Sequence, residues 1–406
     1  MEFPSLRDHN LEGKRVLLRV DINSPIDPRS MEILDDLRIR GHLPTLQALE
    51  KSKVAIMAHQ SRPGLEDFTT LEKHARRIEE LLGRRVKYVD DVFGAAAREE
   101  ISKLRDGEIL VLENVRFCSE EVSDEVTSKP PREQAKTNFV RKLASYVEFF
   151  VNDAFAVSHR SQPSVVAFPT VLPSCAGLLM EKEVVNLSRV IESAERPKVF
   201  SFGGTKAGDS ISVIKSLLDR GIADAVLTSG LVANIFLAAR GVEIGAENME
   251  TLAKKKLDGQ ISKARELLEK YGERIVLPMD LAFQGDEGRE EAPLADLPNR
   301  KVLDIGVETI AQYSKVVREA RVVVANGPCG VFESAPFALG TEELVRSIAQ
   351  RKAFSVIGGG HLSAIAGSLK VAKSVSYIST GGKATLSFLA GEKLPGIEAL
   401  QGSRKP

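Results

Sequence analysis

Short runs of apolar and β-branched residues recur along the whole chain, with helical patterns between them. The apolar residues in these runs are continuous rather than alternating, which is typical of strands buried on both faces of a parallel sheet. Apolar residues three or four positions apart predict helices at 71–82 and 257–268. The alternation of the two patterns predicts an α/β fold built from βαβ units. The predicted strands are 15–20, 53–57, 109–115, 149–151, 198–202, 224–228, 274–278, 321–326 and 354–359.

The length of the chain predicts two domains. Single hydrophobic cores stop growing near about 250–300 residues, and this chain has 406. We expect two domains of similar size, each a mostly parallel sheet between two layers of helices. Two prolines, a Ser-Cys-Ala-Gly break and an amphipathic pattern within 169–199 predict a connecting hinge helix at 174–193. The predicted first domain is 1–173 with the C-terminal tail 393–406, and the predicted second domain is 194–392.

One long polar segment interrupts the first domain. Residues 118–133 read CSEEVSDEVTSKPPRE and contain two adjacent prolines. This composition predicts an exposed excursion from the domain.

Composition narrows the classes of function. The chain has 56 Lys and Arg and 56 Asp and Glu residues, which argues against a general nucleic-acid partner or a strongly charged membrane surface. Its three cysteines form no CxxC or CxxH pair, so no disulfide framework or zinc site is predicted. No uncharged run approaches about 18 residues, and no signal-peptide pattern is present. We expect a cytoplasmic protein, monomeric, with a homodimer as the alternative.

Polar and positively charged residues follow the predicted strands of the first half. Because the carboxyl ends of parallel strands share one edge of a sheet, these residues should converge there. The planar guanidinium of arginine suits bidentate contact with phosphate or carboxylate. This edge therefore predicts a pocket for a small molecule with several negative charges. The candidates are Asn23, His59, Arg62, Arg116 and Arg160, with Arg38 joining from an early helix.

Glycines take the same positions in the second half. They let the backbone approach a ligand closely, and the helices that follow present free N–H groups to an anion. Together with Lys206 they predict a platform for a nucleotide and its phosphates. The clusters are Gly203-Gly204-Thr205-Lys206, Thr228-Ser229-Gly230, Asn326-Gly327-Pro328-Cys329-Gly330, Gly358-Gly359-Gly360-His361 and Ser379-Thr380-Gly381-Gly382-Lys383.

The spacing of these glycines excludes two common nucleotide motifs. The turn at Lys206 is neither GxxxxGK[ST] nor GxGxxG, and no GxGxxG follows an early strand, which disfavours a nicotinamide-dependent dehydrogenase. An anion site in one lobe and a nucleotide site in the other indicate a kinase, whose lobes are expected to close on their ligands.

Ten ordered motifs resemble the phosphoglycerate kinase family over nearly the whole chain. They are RVDINSP (19–25), DDLRIRGHLPTL (35–46), AHQSRPG (58–64), LENVRF (112–117), VNDAFAVSHR (151–160), AGLLMEKE (176–183), RPKVFSFGGTKAGD (196–209), NGPCGVFE (326–333), IGGGH (357–361) and STGGKAT (379–385).

The resemblance implies reversible phosphoryl transfer between 1,3-bisphosphoglycerate with ADP and 3-phosphoglycerate with ATP, in glycolysis and gluconeogenesis. It implies that Mg²⁺ arrives with the nucleotide. The implied phosphoglycerate site is Asp21, Asn23, Arg38, His59, Arg62, Arg116 and Arg160. The implied nucleotide site is Gly203, Gly204, Lys206, Gly230, Asn326, Pro328, Glu333, Gly358, Gly359, Gly360, His361, Thr380 and Gly381. The implied catalytic groups are Arg38, Lys206, Gly359 and Gly382.

Three positions depart from the family pattern. Ser210 replaces a second lysine, His361 replaces an aspartate that helps hold magnesium, and Lys383 replaces a glycine. Because imidazole is a poor ligand for Mg²⁺, no metal ligand is assigned. We hypothesise that Lys383 partly replaces the charge missing at Ser210. The alternative function is a catalytically silent family member that binds nucleotide as a sensor or interaction module.

Overall fold

The computed structural model describes residues 3–350 and 352–403, and the chain divides into two compact units. The first unit runs up to Val185 and resumes at Lys393, and the second runs from Asn186 to Glu392.

The first unit is built on a sheet of six parallel strands in the order β3-β4-β2-β1-β5-β6. Along β1, Val16 and Leu18 pack into a core on one face, whereas Leu17 packs with Met57 on the other. Both faces are therefore buried, as the continuous apolar runs predicted. The strands are β1 (Arg15–Arg19), β2 (Lys53–Met57), β3 (Val86–Tyr88), β4 (Ile109–Val111), β5 (Phe149–Asn152) and β6 (Ser174–Ala176).

Helices cover this sheet, and the last of them leads the chain into the second unit. They are α1 (Leu37–Ala48), α2 (Glu72–Leu82), α3 (Ala95–Lys103), α4 (Ser119–Val122), α5 (Asp124–Thr127), α6 (Pro131–Gln134), α7 (Asn138–Ala144), α8 (Pro163–Val166) and α9 (Leu178–Glu192).

The second unit also has six parallel strands, in the order β15-β14-β13-β7-β8-β9, and an antiparallel sheet β11-β10-β12. The strands are β7 (Lys198–Phe202), β8 (Ala225–Thr228), β9 (Ile275–Val276), β10 (Asp280–Gln284), β11 (Arg289–Pro293), β12 (Val302–Ile305), β13 (Val322–Asn326), β14 (Phe354–Gly358) and β15 (Tyr377–Ser379). The helices are α10 (Ala207–Asp219), α11 (Gly230–Arg240), α12 (Ala246–Lys254), α13 (Gln260–Tyr271), α14 (Val307–Glu319), α15 (Leu339–Ala349), α16 (Gly360–Ser368) and α17 (Lys383–Leu389).

The C-terminal helix α18 (Pro395–Gln401) belongs to the first unit. The Gly396 N–H donates to the Ser158 carbonyl oxygen at 2.9 Å. Two parallel sheets, each flanked by helices, confirm the predicted α/β class.

One local prediction was incomplete and another had the wrong start. Residues 118–133 are mostly exposed, as predicted, but they contain α4, α5 and the start of α6, and the side chain of Glu121 is fully buried. The predicted helix at 174–193 starts later, because 174–176 pair with β5 as the edge strand β6. In the part of the chain that the structure describes, no helix is long and apolar enough to cross a lipid bilayer.

Candidate active site

The four strands that carry the predicted anion-binding residues are neighbours in the first sheet, in the order β4-β2-β1-β5. They run parallel, so their carboxyl ends lie side by side along one edge. We call this the arginine edge. Its residues lie in the loops and short turns that follow these strands, except for Arg38, which lies in the first turn of α1.

Three polar side chains on this edge form one network. Arg38 Nη1 lies 2.6 Å from Asp21 Oδ2, and the Asn23 N–H donates to Asp21 Oδ1 at 3.1 Å. Asn23 Oδ1 in turn accepts from the Ser61 N–H at 2.8 Å. Burial opposes ionisation of Asp21, but Arg38, His59, the Asn23 N–H and Arg19 together lower its pKa. The carboxylate thus holds the Arg38 guanidinium at the edge.

His59 and Arg116 lie in the same electrostatic neighbourhood. Burial, assisted by the charges of Arg19, Arg116 and Arg38, lowers the pKa of His59 well below its usual value, against the opposing charge of Asp21. The imidazole is therefore neutral near pH 7.

The Arg116 guanidinium donates to the Ser61 carbonyl oxygen. Burial first, then the positive charges of Arg160 and Arg19, lower the pKa of Arg116 to about 10. Neighbouring positive charges that lower one another's pKa in this way form a site that favours an anion.

Arg62 is the least connected member of the predicted set. It follows Ser61 in an exposed turn, and its backbone carbonyl accepts from the Leu65 N–H at 3.2 Å. Contacts or mutual electrostatic effects therefore link five of the predicted residues: Asp21, Asn23, Arg38, His59 and Arg116. Arg160 is linked to them only through the effect of its charge on Arg116, and Arg62 only by its position in the chain.

A buried histidine contacts Gln60, at the start of the turn that carries Arg62. His74 on α2 is fully buried, and its Nε2 lies 3.1 Å from Gln60 Oε1. Gln60 Oε1 also accepts from the Ser24 N–H, so it is an acceptor, and His74 Nε2 must donate to it. Burial lowers the pKa of His74 from 6.5 to about 4. Folding therefore favours the neutral ring, and its contribution to stability is lost as the pH falls from 6.5 to about 4.

We expect His74→Gln to reduce the acid sensitivity of folding. The shift corresponds to about 3 kcal/mol between pH 7 and pH 4. Urea unfolding at both pH values should show a fall in unfolding free energy that is smaller in the variant by roughly that amount. Equal falls in the two proteins would contradict this role.

Five neighbouring strands of the second sheet, in the order β15-β14-β13-β7-β8, end in the predicted glycine turns. We call this the glycine edge. Backbone bonds interlock three of its turns: the Gly203 N–H donates to the Asn326 carbonyl at 2.9 Å, the Gly204 N–H to the Pro328 carbonyl at 2.8 Å, and the Gly230 N–H to the Cys329 carbonyl at 3.0 Å. Gly230 has φ of +54°, and a Cβ there would lie 2.8 Å from Gly204 N. The contacts at Gly203 and Gly230 leave no room for a Cβ, so these positions present backbone.

Helix N-termini add hydrogen-bond donors to this edge. The N-cap residues of α10, α11 and α16 are Lys206, Ser229 and Gly359 respectively, and none of them makes a side-chain capping bond. In α10 and α16 the first-turn N–H groups, which have no acceptor within the helix, suit an anion. In α11 the Gly230 and Leu231 N–H groups already donate to the Cys329 and Gly204 carbonyl oxygens. Lys206 itself is exposed.

The remaining predicted nucleotide residues are placed less tightly. Asn326 Nδ2 lies beside Gly358, where a Cβ would be 2.8 Å away. The His361 ring packs against Phe332 with ring centroids 4.7 Å apart, and Glu333 follows in an exposed position. At the end of β15, which Thr380 follows, the Gly381 N–H donates to Ser379 Oγ at 3.2 Å, and Gly382 has φ of +53°.

The other two unusual positions, Ser210 and Lys383, have different surroundings. Ser210 is buried in α10, and its hydroxyl donates to the Lys206 carbonyl at 3.3 Å. Lys383 is half exposed, and its Nζ lies 3.4 Å from Asp209 Oδ1. Lys383 therefore bridges the turn after β15 to the start of α10.

The sequence did not predict one buried pair of charged residues in the first unit. Arg19 and Glu121 are both fully buried and interact through Ser164. The available signal was an arginine inside the apolar run of β1, since an arginine is almost never fully buried unless it is paired. Among residues 3–350 and 352–403, no group of three or more His, Cys, Asp or Glu side chains could hold a metal ion.

Comparison with known proteins agrees with this arrangement. The model of the family described as phosphoglycerate kinase matches residues 6–392. The chain belongs to the phosphoglycerate kinase family. Phosphoglycerate kinases of Methanothermus fervidus and Methanothermobacter thermautotrophicus are 49% and 50% identical to it, and each match covers 100% of this chain and 98% of that protein.

Solved structures of phosphoglycerate kinases share the fold. The enzyme of Pyrococcus horikoshii matches with a TM-score of 0.92 at 43% identity, covering 98% of each chain. That of Coxiella burnetii matches with a TM-score of 0.79 at 32% identity, covering 98% of this chain and 99% of that one. Family membership makes the chain a phosphotransferase of glycolysis, and the alternative of a silent nucleotide-binding protein finds no support in these comparisons.

Proposed function

We propose that the arginine edge binds 3-phosphoglycerate or 1,3-bisphosphoglycerate and that the glycine edge binds ATP or ADP with Mg²⁺. The observation that carries this division is the contrast between the two edges: side-chain charge on one, and bare backbone with uncapped helix ends on the other. Side-chain guanidinium groups suit a small anion with phosphate and carboxylate ends. Backbone amides suit the phosphates of a nucleotide.

On the first edge, we assign Arg62, Arg116 and Arg160 to the phosphate remote from the reaction. Arg38 lies near the transferred group, held by Asp21 at 2.6 Å. In the forward direction of ATP use, a carboxylate oxygen of 3-phosphoglycerate attacks the γ-phosphorus, the bond to the β-phosphate oxygen breaks, and ADP leaves. Carboxylates of this kind ionise at a pKa of about 3.5–4. The nucleophile is already deprotonated at neutral pH, so no general base is required.

The transition state then needs charge neutralisation around the transferring phosphoryl oxygens. We assign this role to Arg38, Lys206 and the amides at Gly359 and Gly382. Mg²⁺ is assigned to the nucleotide complex, with phosphate and water oxygens as its ligands, since it prefers oxygen and keeps several waters.

A coupled assay tests this assignment. The purified protein with 3-phosphoglycerate and MgATP should form ADP only when both substrates are present. Nucleotide binding without ADP formation dependent on 3-phosphoglycerate would contradict it.

The interlocked glycine turns give a sharper test of the nucleotide edge. A Cβ at Gly203 would overlap the Pro328 carbonyl oxygen and lie 2.5 Å from Ser229 Oγ. We expect Gly203→Ala to raise the KM for ATP and to destabilise the protein by about 1–3 kcal/mol through overpacking. Thermal unfolding and steady-state kinetics measure both.

The matched control is Gly208→Ala in α10, where a Cβ would meet its nearest neighbour, Leu257 Cδ2, at 3.8 Å. Alanine is a better helix former than glycine, so the unfolding free energy of this variant should rise by roughly 0.5–1 kcal/mol. Equal behaviour of the two variants would contradict the close approach of the turns.

Lys383 is expected to contribute a cation to the same edge. When a triphosphate binds, the Lys383 ammonium can leave Asp209 and contact a phosphate oxygen instead. Lys383→Met should lower kcat/KM for ATP about tenfold, the size of one lost charge-assisted hydrogen bond. Lys254→Met, which removes an exposed lysine paired with Glu250 on α12, is the control. Unchanged turnover in Lys383→Met would refute the hypothesis.

A further inference from the structure

Arg19 is a buried cation that the proposed substrate contacts do not use. It ends β1 and is fully buried, and its guanidinium makes three contacts. Nε donates to Ser164 Oγ at 3.0 Å, Nη1 donates to the Val20 carbonyl oxygen, and Nη2 lies 3.2 Å from Nδ1 of His59. This arrangement directs the guanidinium at the imidazole of a residue assigned to the arginine edge.

A buried carboxylate stands behind Arg19. Ser164 donates its hydroxyl to Glu121 Oε1 at 2.6 Å and its backbone N–H to Oε2 at 2.9 Å. Burial of the Arg19 guanidinium lowers its pKa, and the charges of Glu121 and Asp21 oppose that effect. The helix that carries Glu121 therefore helps to retain a cation inside the unit.

We propose that Arg19 is a positioning residue that holds His59 as the neutral tautomer with its proton on Nε2. A guanidinium has only donors, so the Nδ1 that faces it must accept. A neutral imidazole carries a single proton, which is then on Nε2. Asp21 Oδ1 lies 4.0 Å from the same Nδ1, beyond hydrogen-bond distance, so it does not compete for the contact.

The charged groups around His59 agree with a neutral ring. Asp21 favours the imidazolium, whereas burial and the charges of Arg19, Arg116 and Arg38 disfavour it, and the latter effects prevail. The consequence for the reaction rests on the proposed function: Nε2–H donates one hydrogen bond to the phosphoglycerate anion. Fixing the tautomer in advance removes the cost of rearranging it when the substrate binds.

Nuclear magnetic resonance of the full-length protein tests the proposal without any ligand. The protein is labelled with ¹⁵N-histidine, and the His59 signals in a long-range ¹H–¹⁵N correlation spectrum are assigned by their loss in His59→Gln. We expect an unprotonated Nδ1 and a protonated Nε2 throughout pH 6–8. A proton on Nδ1, or an imidazolium in this range, would overturn the proposal.

A double variant tests the role of Arg19. Arg19→Met with Glu121→Gln removes the guanidinium together with its buried counter-charge. We expect the His59 signals to shift to a mixture of tautomers, and the KM for 3-phosphoglycerate to rise roughly threefold to tenfold, the effect of one hydrogen bond. The KM for ATP should stay unchanged. Glu121→Gln alone retains Arg19 and should keep the Nε2–H tautomer.

An unchanged His59 signature in the double variant would overturn the role of Arg19. If that variant does not fold, the spectra of the unaltered protein and of Glu121→Gln decide alone, because a proton on Nδ1 in either is incompatible with the contact. If only the substrate assignment is wrong, the outcome is different. His59→Gln then leaves the KM for 3-phosphoglycerate unchanged, although the unaltered protein still shows the proposed His59 tautomer.

Discussion

Replacing Arg38 by methionine is expected to lower kcat about 10³-fold, the effect of removing an arginine that stabilises a transferring phosphoryl group. Arg38 is held by Asp21 at 2.6 Å and is one-third exposed, so it is both oriented and accessible to a ligand. Because its main contribution is made in the transition state, the KM for 3-phosphoglycerate should rise much less than kcat falls.

The control for this prediction lies on the same helix. Arg40 is exposed and pairs with Asp36 at 2.7 Å, and such pairs contribute about 0–1 kcal/mol. Arg40→Met should leave kcat unchanged. Because Arg38→Met leaves the buried Asp21 without its strongest partner, its thermal unfolding must be measured alongside. A folded Arg38→Met protein with nearly full kcat would exclude the assigned role.

Replacing Lys206 by methionine is expected to lower kcat/KM for ATP about 10²–10³-fold. The lysine is the N-cap of α10 and follows the interlocked glycine turn, so we expect its ammonium to contact the nucleotide phosphates. It is exposed, and its loss should leave the stability of the second unit unchanged.

Lys215 on the same helix is the matched control, since it is exposed and pairs with Asp219. Lys215→Met removes the same charge and stem length two turns away and should keep full activity. Comparable activity of the two variants would show that Lys206 is merely solvated.

Both edges could be predicted from the sequence because parallel strands end together. The apolar runs located β1, β2, β4 and β5, and the polar residues after them had to share one edge once the strands paired as neighbours. The same reasoning located the glycine edge. Which side chains touch could not be predicted in this way, because Asp21 and Arg38 meet only through the packing of α1 on the sheet.

Other elements gave no usable pattern. β11 reads REEAP and is partly exposed, so no apolar run marks it as a strand, and its pairing with β10 depends on tertiary context. The segment around Glu121 is polar, which predicted exposure, but its carboxylate is buried against Ser164. A polar sequence does not reveal that its charge has a buried partner.

Position 210 shows a further limit. The sequence indicated only that a cation is missing there, whereas the structure places the Ser210 side chain within the packed face of α10. The nearby Lys383 and its contact with Asp209 become visible only when the turn after β15 is placed beside α10.

Calorimetric titration of single ligands tests the division of labour between the two edges most directly. 3-Phosphoglycerate and MgADP are titrated separately into Arg116→Met and Lys206→Met. We expect Arg116→Met to weaken binding of 3-phosphoglycerate about tenfold or more, the effect of one lost charge-assisted contact, with unchanged affinity for MgADP. We expect Lys206→Met to weaken binding of MgADP and to leave the affinity for 3-phosphoglycerate unchanged. Equal losses of both ligands in each variant would contradict it.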